Sequence, residues 1–300
     1  MSEARERRVL QEVEIDAPIE QVWEAVSTAE GLKRWYPLDA RVDAGPDGKM
    51  VGGKMMASFG PGMEGTATIL AWEPNRRYRI YEGGPGGAPA PLTAELPTLE
   101  QWLATNPTTM GPNVLDITLE SRGGKTFMRL VHSGFVAGAP WEEEYWDSLE
   151  QGWPFMVAGL LHYMKYHIGK PRQVGWPFRN VAVDSDESWR RLAGPAGLGF
   201  DLGRVGVGQR FSLKTAAGIP LSGVVEFVKP PKMRVVVENM NNALLGVMIE
   251  KCGGPVMAGL WLSAFGVPQQ QVDDFRDRWN EVLGRLFPEP PPAAPAMPGG

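Results

Sequence analysis

Between residues 9 and 16 the chain alternates: Val9, Gln11, Val13 and Ile15 fall on one side and Glu12, Glu14 and Asp16 on the other, which predicts a strand packed on one face and wet on the other. Ala17-Pro18 ends it. The period then changes, because "PIEQVWEAVS" places Ile19, Val22, Trp23 and Val26 at helical spacing behind a first-turn proline, and a short amphipathic "GLKRWY" follows. Period-two patterning returns over residues 49–82 and 113–135, predicting an antiparallel run of strands. From Trp153 the period is again helical. Trp153, Met156, Val157, Leu160, Leu161, Met164 and Ile168 gather on one broad face, opposite His162 and Lys165. Pro154 fits the first turn of that helix, so "WEEEYWDSLEQG" is expected to form a separate segment.

This unit is written twice. "NVLDITLESRGGKTFMRLVHSGF" (113–135) aligns without a gap on "ALLGVMIEKCGGPVMAGLWLSAF" (243–265), each a strand, a Gly-Gly turn and a strand. "VGGKMMASFGPGMEGTATILAWEP" resembles "VGQRFSLKTAAGIPLSGVVEFVKP", and "APIEQVWEAVSTAEGL" resembles "DSDESWRRLAGPAGL", in the same order. The helix around Trp153 matches the one around Trp279. A period this long means tandem domains rather than a solenoid. The expected organisation is a first domain over 1–171, a second over 172–288, and a Pro-rich tail over 289–300 too poor in large apolar groups to pack. Copy one also carries an excursion over 83–112 that copy two lacks. Within it Thr98 and Gln101 read as a capping box for a short helix carrying Trp102, a candidate lid.

Composition narrows the classes. With 43% hydrophobic and 22% charged residues over 300 positions, the chain can bury two cores. A net charge of -5 argues against a nucleic-acid partner. The chain has no long uncharged apolar run of membrane-spanning length and no apolar stretch of signal-peptide length at its start, so a cytoplasmic protein is expected. Cys252 is the only cysteine, which rules out an internal disulfide.

Most candidate motifs dissolve under their own chemistry. Gly60, Gly62 and Gly65 have the spacing of a dinucleotide loop, but strand pattern lies on both sides and Pro61 has no N–H to offer a phosphate, so a hairpin loop is expected. His162 and His167, five apart on a helix, turn about 140° from each other and do not form an i, i+4 metal pair. Glu142, Glu143 and Glu144 read as a solvated acidic turn. No metal site, cofactor site or nucleophile elbow is visible. His132 is different. It shares the inward face of its strand with Met128 and Leu130, where copy two has Ala258, Leu260 and Leu262. One copy thus puts an imidazole where the other has an isobutyl group, and a buried imidazole needs a partner or costs about 1–3 kcal/mol.

The runs "IDAPIEQVWEAVSTAEGLKRWY", "GGKMMASF", "GTATILAWEPNRRYRI", "TFMRLVHSGF" and "GWPFMVAGLLHYMKYHIG" together resemble the SRPBCC or START-like helix-grip superfamily, in the branch similar to the carboxy-terminal domain of the heat-shock-ATPase activator. Copy two departs in detail: "GLGFDL" stands for "GLKRWY", and no Gly-Trp-Pro opens its last helix. The resemblance implies an α+β fold of two tandem helix-grip domains, each a curved antiparallel sheet wrapped around a long C-terminal helix. It also implies a cavity between sheet and helix that binds a small hydrophobic molecule, aromatic or acyl. The expected walls in copy one are Trp35 from the second short helix, Phe59, Ala67, Tyr78 and His132 from strands, and Trp153, Met156 and Leu160 from the helix. Copy two is expected to be a degenerate structural partner paired with copy one within the chain. A ligand burying about 200 Å² of apolar surface would gain roughly 5 kcal/mol before entropic costs. Two other activities follow from the resemblance: an aromatase/cyclase-like enzyme using His132 and Tyr78 on a polyketide-like substrate, and a regulator of a chaperone ATPase. Because the residues assemble no acid/base or nucleophilic set and the inward positions are overwhelmingly apolar, binding is favoured over catalysis.

Overall fold

Strands such as Arg7–Ile15 and Lys125–Phe135 alternate buried with more exposed residues, whereas Ala243–Glu250 and Val256–Phe265 are buried on both faces; the computed structural model describes residues 7–60, 62–82, 113–135, 140–251 and 254–288, with backbone only for 140–145. The chain divides into two compact units, Met1–Ile168 and Gly169–Gly300.

In the first unit β1 (Arg7–Ile15) leads into α1 (Ile19–Ser27) and α2 (Ala29–Lys33). Thr28 caps α2 by accepting from the Gly31 N–H at 3.0 Å. Six strands follow: β2 (Asp39–Asp43), β3 (Lys54–Ser58), β4 (Glu64–Glu73), β5 (Arg77–Tyr81), β6 (Val114–Arg122) and β7 (Lys125–Phe135). They form an antiparallel sheet in the order β1-β7-β6-β5-β4-β3-β2, so the first strand returns to pair with the last. The long helix α3 (Pro140–Tyr166) completes the unit.

The second unit repeats this plan with β8 (Arg172–Gly175), β9 (Phe178–Val181), α4 (Ser185–Ala193), β10 (Arg210–Lys214), β11 (Pro220–Lys229), β12 (Lys232–Val237), β13 (Ala243–Glu250), β14 (Val256–Phe265) and α5 (Gln269–Leu286). β8 and β9 together take the place of β1 beside the last strand, β14. They are two strands because Pro177 has no N–H to continue the ladder, and its carbonyl instead accepts from Leu260 N at 2.9 Å. From β10 to β14 the order matches β3 to β7.

The likeness reaches single hydrogen bonds. The β4–β5 register shifts between Ile69 and Ala71, and the β11–β12 register shifts between Val225 and Phe227, at the same place in two ten-residue strands. Facing each bulge, Gly52 N donates to Ile69 O at 2.8 Å and Ile69 N to Gly53 O at 2.9 Å, while Gly208 N donates to Val225 O at 2.8 Å and Val225 N to Gln209 O at 2.9 Å. Gly52 and Gly208 both adopt positive φ, +85° and +82°. Gly60, Gly62 and Gly65 sit in and beside the β3–β4 hairpin turn, as the strand pattern around them requires.

Three details differ from the sequence reading. α3 runs unbroken through Pro154, so the segment ahead of Trp153 is its first half rather than a separate element. Pro154 and Glu150, whose carbonyl loses its helical partner, both lie on the exposed side, where water can take the freed acceptor. His162, assigned opposite the apolar face, is buried, and Ile168, assigned to that face, is 44% exposed. Consecutive His162, Tyr163 and Met164 are all buried, so the end of α3 is covered on more than one side. Finally, the rings of His162 and His167 do approach, at 5.3 Å between centroids, since α3 ends at Tyr166 and His167 has left the helical path.

The second unit packs Leu192, Val225, Ala258, Leu260, Leu262, Phe275 and Trp279 in one buried apolar cluster. Among the described residues no helix is long and apolar enough to cross a membrane. The excursion over 83–112 with Trp102, the tail over 289–300, Cys252 and the side chains of Glu142, Glu143 and Glu144 lie outside the described residues.

Candidate functional site

The inward face of the first sheet can be read from its register. Val9 lies opposite His132, His132 opposite Leu115, Leu115 opposite Ile80, and Tyr78 opposite Ile117. Ala67 faces Met55 on the neighbouring pair of strands. Period two continues this face past the strand ends to Glu82 and Asn113, whose backbones meet where Glu82 N donates to Asn113 O at 2.9 Å.

Trp153 of α3 is the centre of the site. Its indole Nε1–H donates to His132 Nδ1 at 3.0 Å, fully buried. An indole N–H can only donate, so Nδ1 is the acceptor and the neutral imidazole carries its proton on Nε2. That nitrogen stands 3.3 Å from Glu82 Oε2, with no hydrogen bond of good geometry among the described residues. Burial pushes the Glu82 carboxyl up, but the His132 Nε2–H turned toward it outweighs this and holds the group below its ordinary value. Phe135 meets the imidazole edge to face at 4.8 Å.

On its other side Trp153 stacks on Tyr36 at 5.6 Å and 11°. Tyr36 in turn touches Trp35 at 5.4 Å and Phe59 at 5.4 Å. Tyr36, Phe59 and Met156 are half-buried, whereas Trp35, Trp153 and Leu160 are buried. These three partly exposed side chains, from the end of α2, the β3–β4 turn and α3, mark where the aromatic line reaches the surface. Trp35 lies just beyond α2 rather than on it, and its Nε1–H donates to Ala25 O at 2.9 Å, satisfying a carbonyl at the end of α1. Gly159 lets α3 approach this corner, since a Cβ there would stand 3.3 Å from Trp35 O.

Tyr78 belongs to a second group, edge to face with Trp72 at 5.5 Å, which meets Trp23 at 5.3 Å. Its hydroxyl is buried without a hydrogen-bond partner among the described residues. Burial, with the Glu82 charge adding to it, pushes the phenol well above its ordinary value, so it is a neutral O–H. Asn113 Oδ1 is likewise buried and unpaired among the described residues.

The predicted residues thus divide. Trp35, Phe59, His132 and Trp153 join one chain of rings through Tyr36, Tyr78 faces inward in another group, and Ala67, Met156 and Leu160 occupy sheet and helix positions around them. The sequence reading missed Tyr36, Glu82 and Asn113. Tyr36 adjoins Trp35 in "RWY", and the parity of Tyr78 and Ile80, or of Leu115 and Ile117, would have extended the inward face to Glu82 and Asn113. No group of three or more His, Cys, Asp or Glu side chains among the described residues could hold a metal ion.

Residues 16–165 match the family described as activator of Hsp90 ATPase homolog 1-like protein. None of the curated proteins matches the chain. Among solved structures, the Aha1 dimer of Colwellia psychrerythraea is 18% identical over 54% of this chain and 99% of its own, with a TM-score of 0.39. DynU16, from the dynemicin biosynthetic locus, is 16% identical over 93% of this chain and 96% of its own, at 0.37. The di-domain ARO/CYC BexL of the BE-7585A pathway is 13% identical over 97% of this chain and 100% of its own, at 0.39. Similarity this distant leaves function to be argued from the chain's own residues.

Proposed function

The chain belongs to the activator of Hsp90 ATPase homolog 1-like family, and from that premise we propose that its first unit binds a small hydrophobic molecule, aromatic or acyl, between the sheet and α3. The observation that carries this reading is the polar line that runs from buried Trp153 through buried His132 to half-buried Glu82 along an otherwise apolar inward face. At the corresponding place the second unit has Leu262 inside a hydrocarbon core. Stability alone favours the second arrangement, because a polar group inside an apolar core must be compensated and a leucine needs nothing. Retaining the polar line in one copy fits a ligand site. Tyr36, Phe59 and Met156, half-buried beside Trp153, supply the entrance and apolar surface for a ring.

The test is thermal unfolding of the full chain against a panel of small aromatic and acyl compounds. Binding to the native state alone raises the transition by mass action, by about 2.7 kcal/mol at a hundred times the dissociation constant. A panel that leaves the transition unmoved contradicts the reading.

A second reading, catalysis of an aromatase/cyclase type, draws on one observation: the neutral phenol of Tyr78 lies within the influence of the ionised Glu82. In that reading Tyr78 is a proton donor and Glu82 a proton acceptor that the His132 Nε2–H orients. Conversion of a bound polyketide-like compound that His132→Leu abolishes, in a variant that remains folded, distinguishes catalysis from binding. Unimpaired conversion by that variant removes it.

A further inference from the structure

Three buried polar atoms on the inward face of the first sheet have no hydrogen-bond partner of good geometry among the described residues: Tyr78 Oη, Asn113 Oδ1 and His132 Nε2. Tyr78, Asn113 and His132 are each 1% exposed, so water does not reach them from outside. They belong to one neighbourhood, since the Asn113 and Glu82 backbones are hydrogen-bonded, His132 Nε2 faces Glu82 Oε2, and the Glu82 charge acts on the Tyr78 phenol. Each unpaired group costs free energy that a suitable occupant would recover.

Resting on the hydrophobic-ligand reading above, we propose that this polar end of the first unit receives a neutral hydroxyl group of the ligand, on a phenol or an alcohol, and rejects a carboxylate carried on the same apolar body. The chemistry of the four side chains decides between them. Asn113 Oδ1 and the Glu82 carboxylate only accept hydrogen bonds, whereas Tyr78 O–H and His132 Nε2–H can donate. A hydroxyl does both: it gives its proton to Asn113 or Glu82 and accepts from Tyr78 or His132. A carboxylate has no proton to give. It leaves Asn113 Oδ1 unpaired and brings a second negative charge beside half-buried Glu82, where like charges repel.

The experiment is calorimetric titration of the full chain, near neutral pH, with three probes sharing one ring system: 2-naphthol, naphthalene and 2-naphthoate. The expected result is that 2-naphthol binds about tenfold more tightly than naphthalene, and 2-naphthoate more weakly than either. In Glu82→Gln, with its fold checked by circular dichroism, the gap between 2-naphthol and 2-naphthoate should shrink about tenfold, because the repelling charge is gone. If 2-naphthoate binds as tightly as 2-naphthol, or 2-naphthol no more tightly than naphthalene, the hydroxyl preference is overturned while the hydrophobic site stands. If none of the three binds, the ligand reading falls and takes this proposal with it.

Discussion

Trp153 donates its indole N–H to His132 Nδ1 across 3.0 Å in the interior of the first unit, joining α3 to β7. In the second unit Trp279, on the helix that corresponds to α3, is fully buried and its Nε1 has no partner among the described residues, and Leu262 holds the strand position of His132. Removing either member of the first pair strands the other. Trp153→Phe and His132→Leu should each destabilise the first unit by about 1–3 kcal/mol, and the double variant should cost less than their sum by about 1 kcal/mol. Denaturant unfolding of the four proteins measures this coupling, and strict additivity would show that the contact contributes nothing.

In the second unit the donor is already orphaned, so its removal relieves a cost as well as losing packing. Trp279→Phe should therefore destabilise by about 1–2 kcal/mol less than Trp153→Phe. Parallel urea titrations check the difference.

The Glu82 carboxyl is held below its ordinary value against the cost of its own burial, with His132 supplying the attraction and Tyr78 standing near. A carboxyl whose folded value is depressed contributes stability that is complete above its unfolded value, about 4.3, and is lost as the pH falls through the folded value. Glu82→Gln lacks this contribution. The stability difference between the two proteins should be full at neutral pH and shrink below about pH 4, as measured by denaturant unfolding across that range.

Gly31 and Gly197 hold the same position in the two copies, each before a buried leucine, Leu32 and Leu198. A Cβ on Gly31 would lie 1.9 Å from Glu24 O, and one on Gly197 would lie 2.1 Å from Leu192 O. Both obstacles are backbone. Gly31→Ala and Gly197→Ala should each cost about 3 kcal/mol, read as a lowered unfolding midpoint of the unit concerned, whereas alanine at Gly65, whose Cβ meets nothing within 4 Å, should be tolerated far better.

How far the sequence revealed this molecule depended on whether a signal was periodic. Period two located the inward faces of β1 and β7, and the structure adds that the two strands pair, with Val9 opposite His132. The repeat predicted two similar sheets, and the paired bulges facing Gly52 and Gly208 follow from the same alignment. Pro154 misled, because a proline at a first turn and a proline on the exposed side of a longer helix present the same local sequence. His162 misled because a helical wheel assumes one buried side, and the end of α3 is covered on more than one. Within the site, His132 was legible as a polar residue in an apolar series. Its partners were not: Trp153 read as an apolar wall of the cavity rather than as the donor to His132, and Glu82 lies one residue past the end of β5, where alternation no longer signals a strand.

Native mass spectrometry of the freshly purified full chain, alone and with small aromatic or acyl compounds, tests the central claim most directly. A site in the first unit beside a filled second core predicts one bound molecule per chain, lost on collisional activation. Two molecules per chain would contradict the assignment of the second copy, and none under any condition would contradict the site itself.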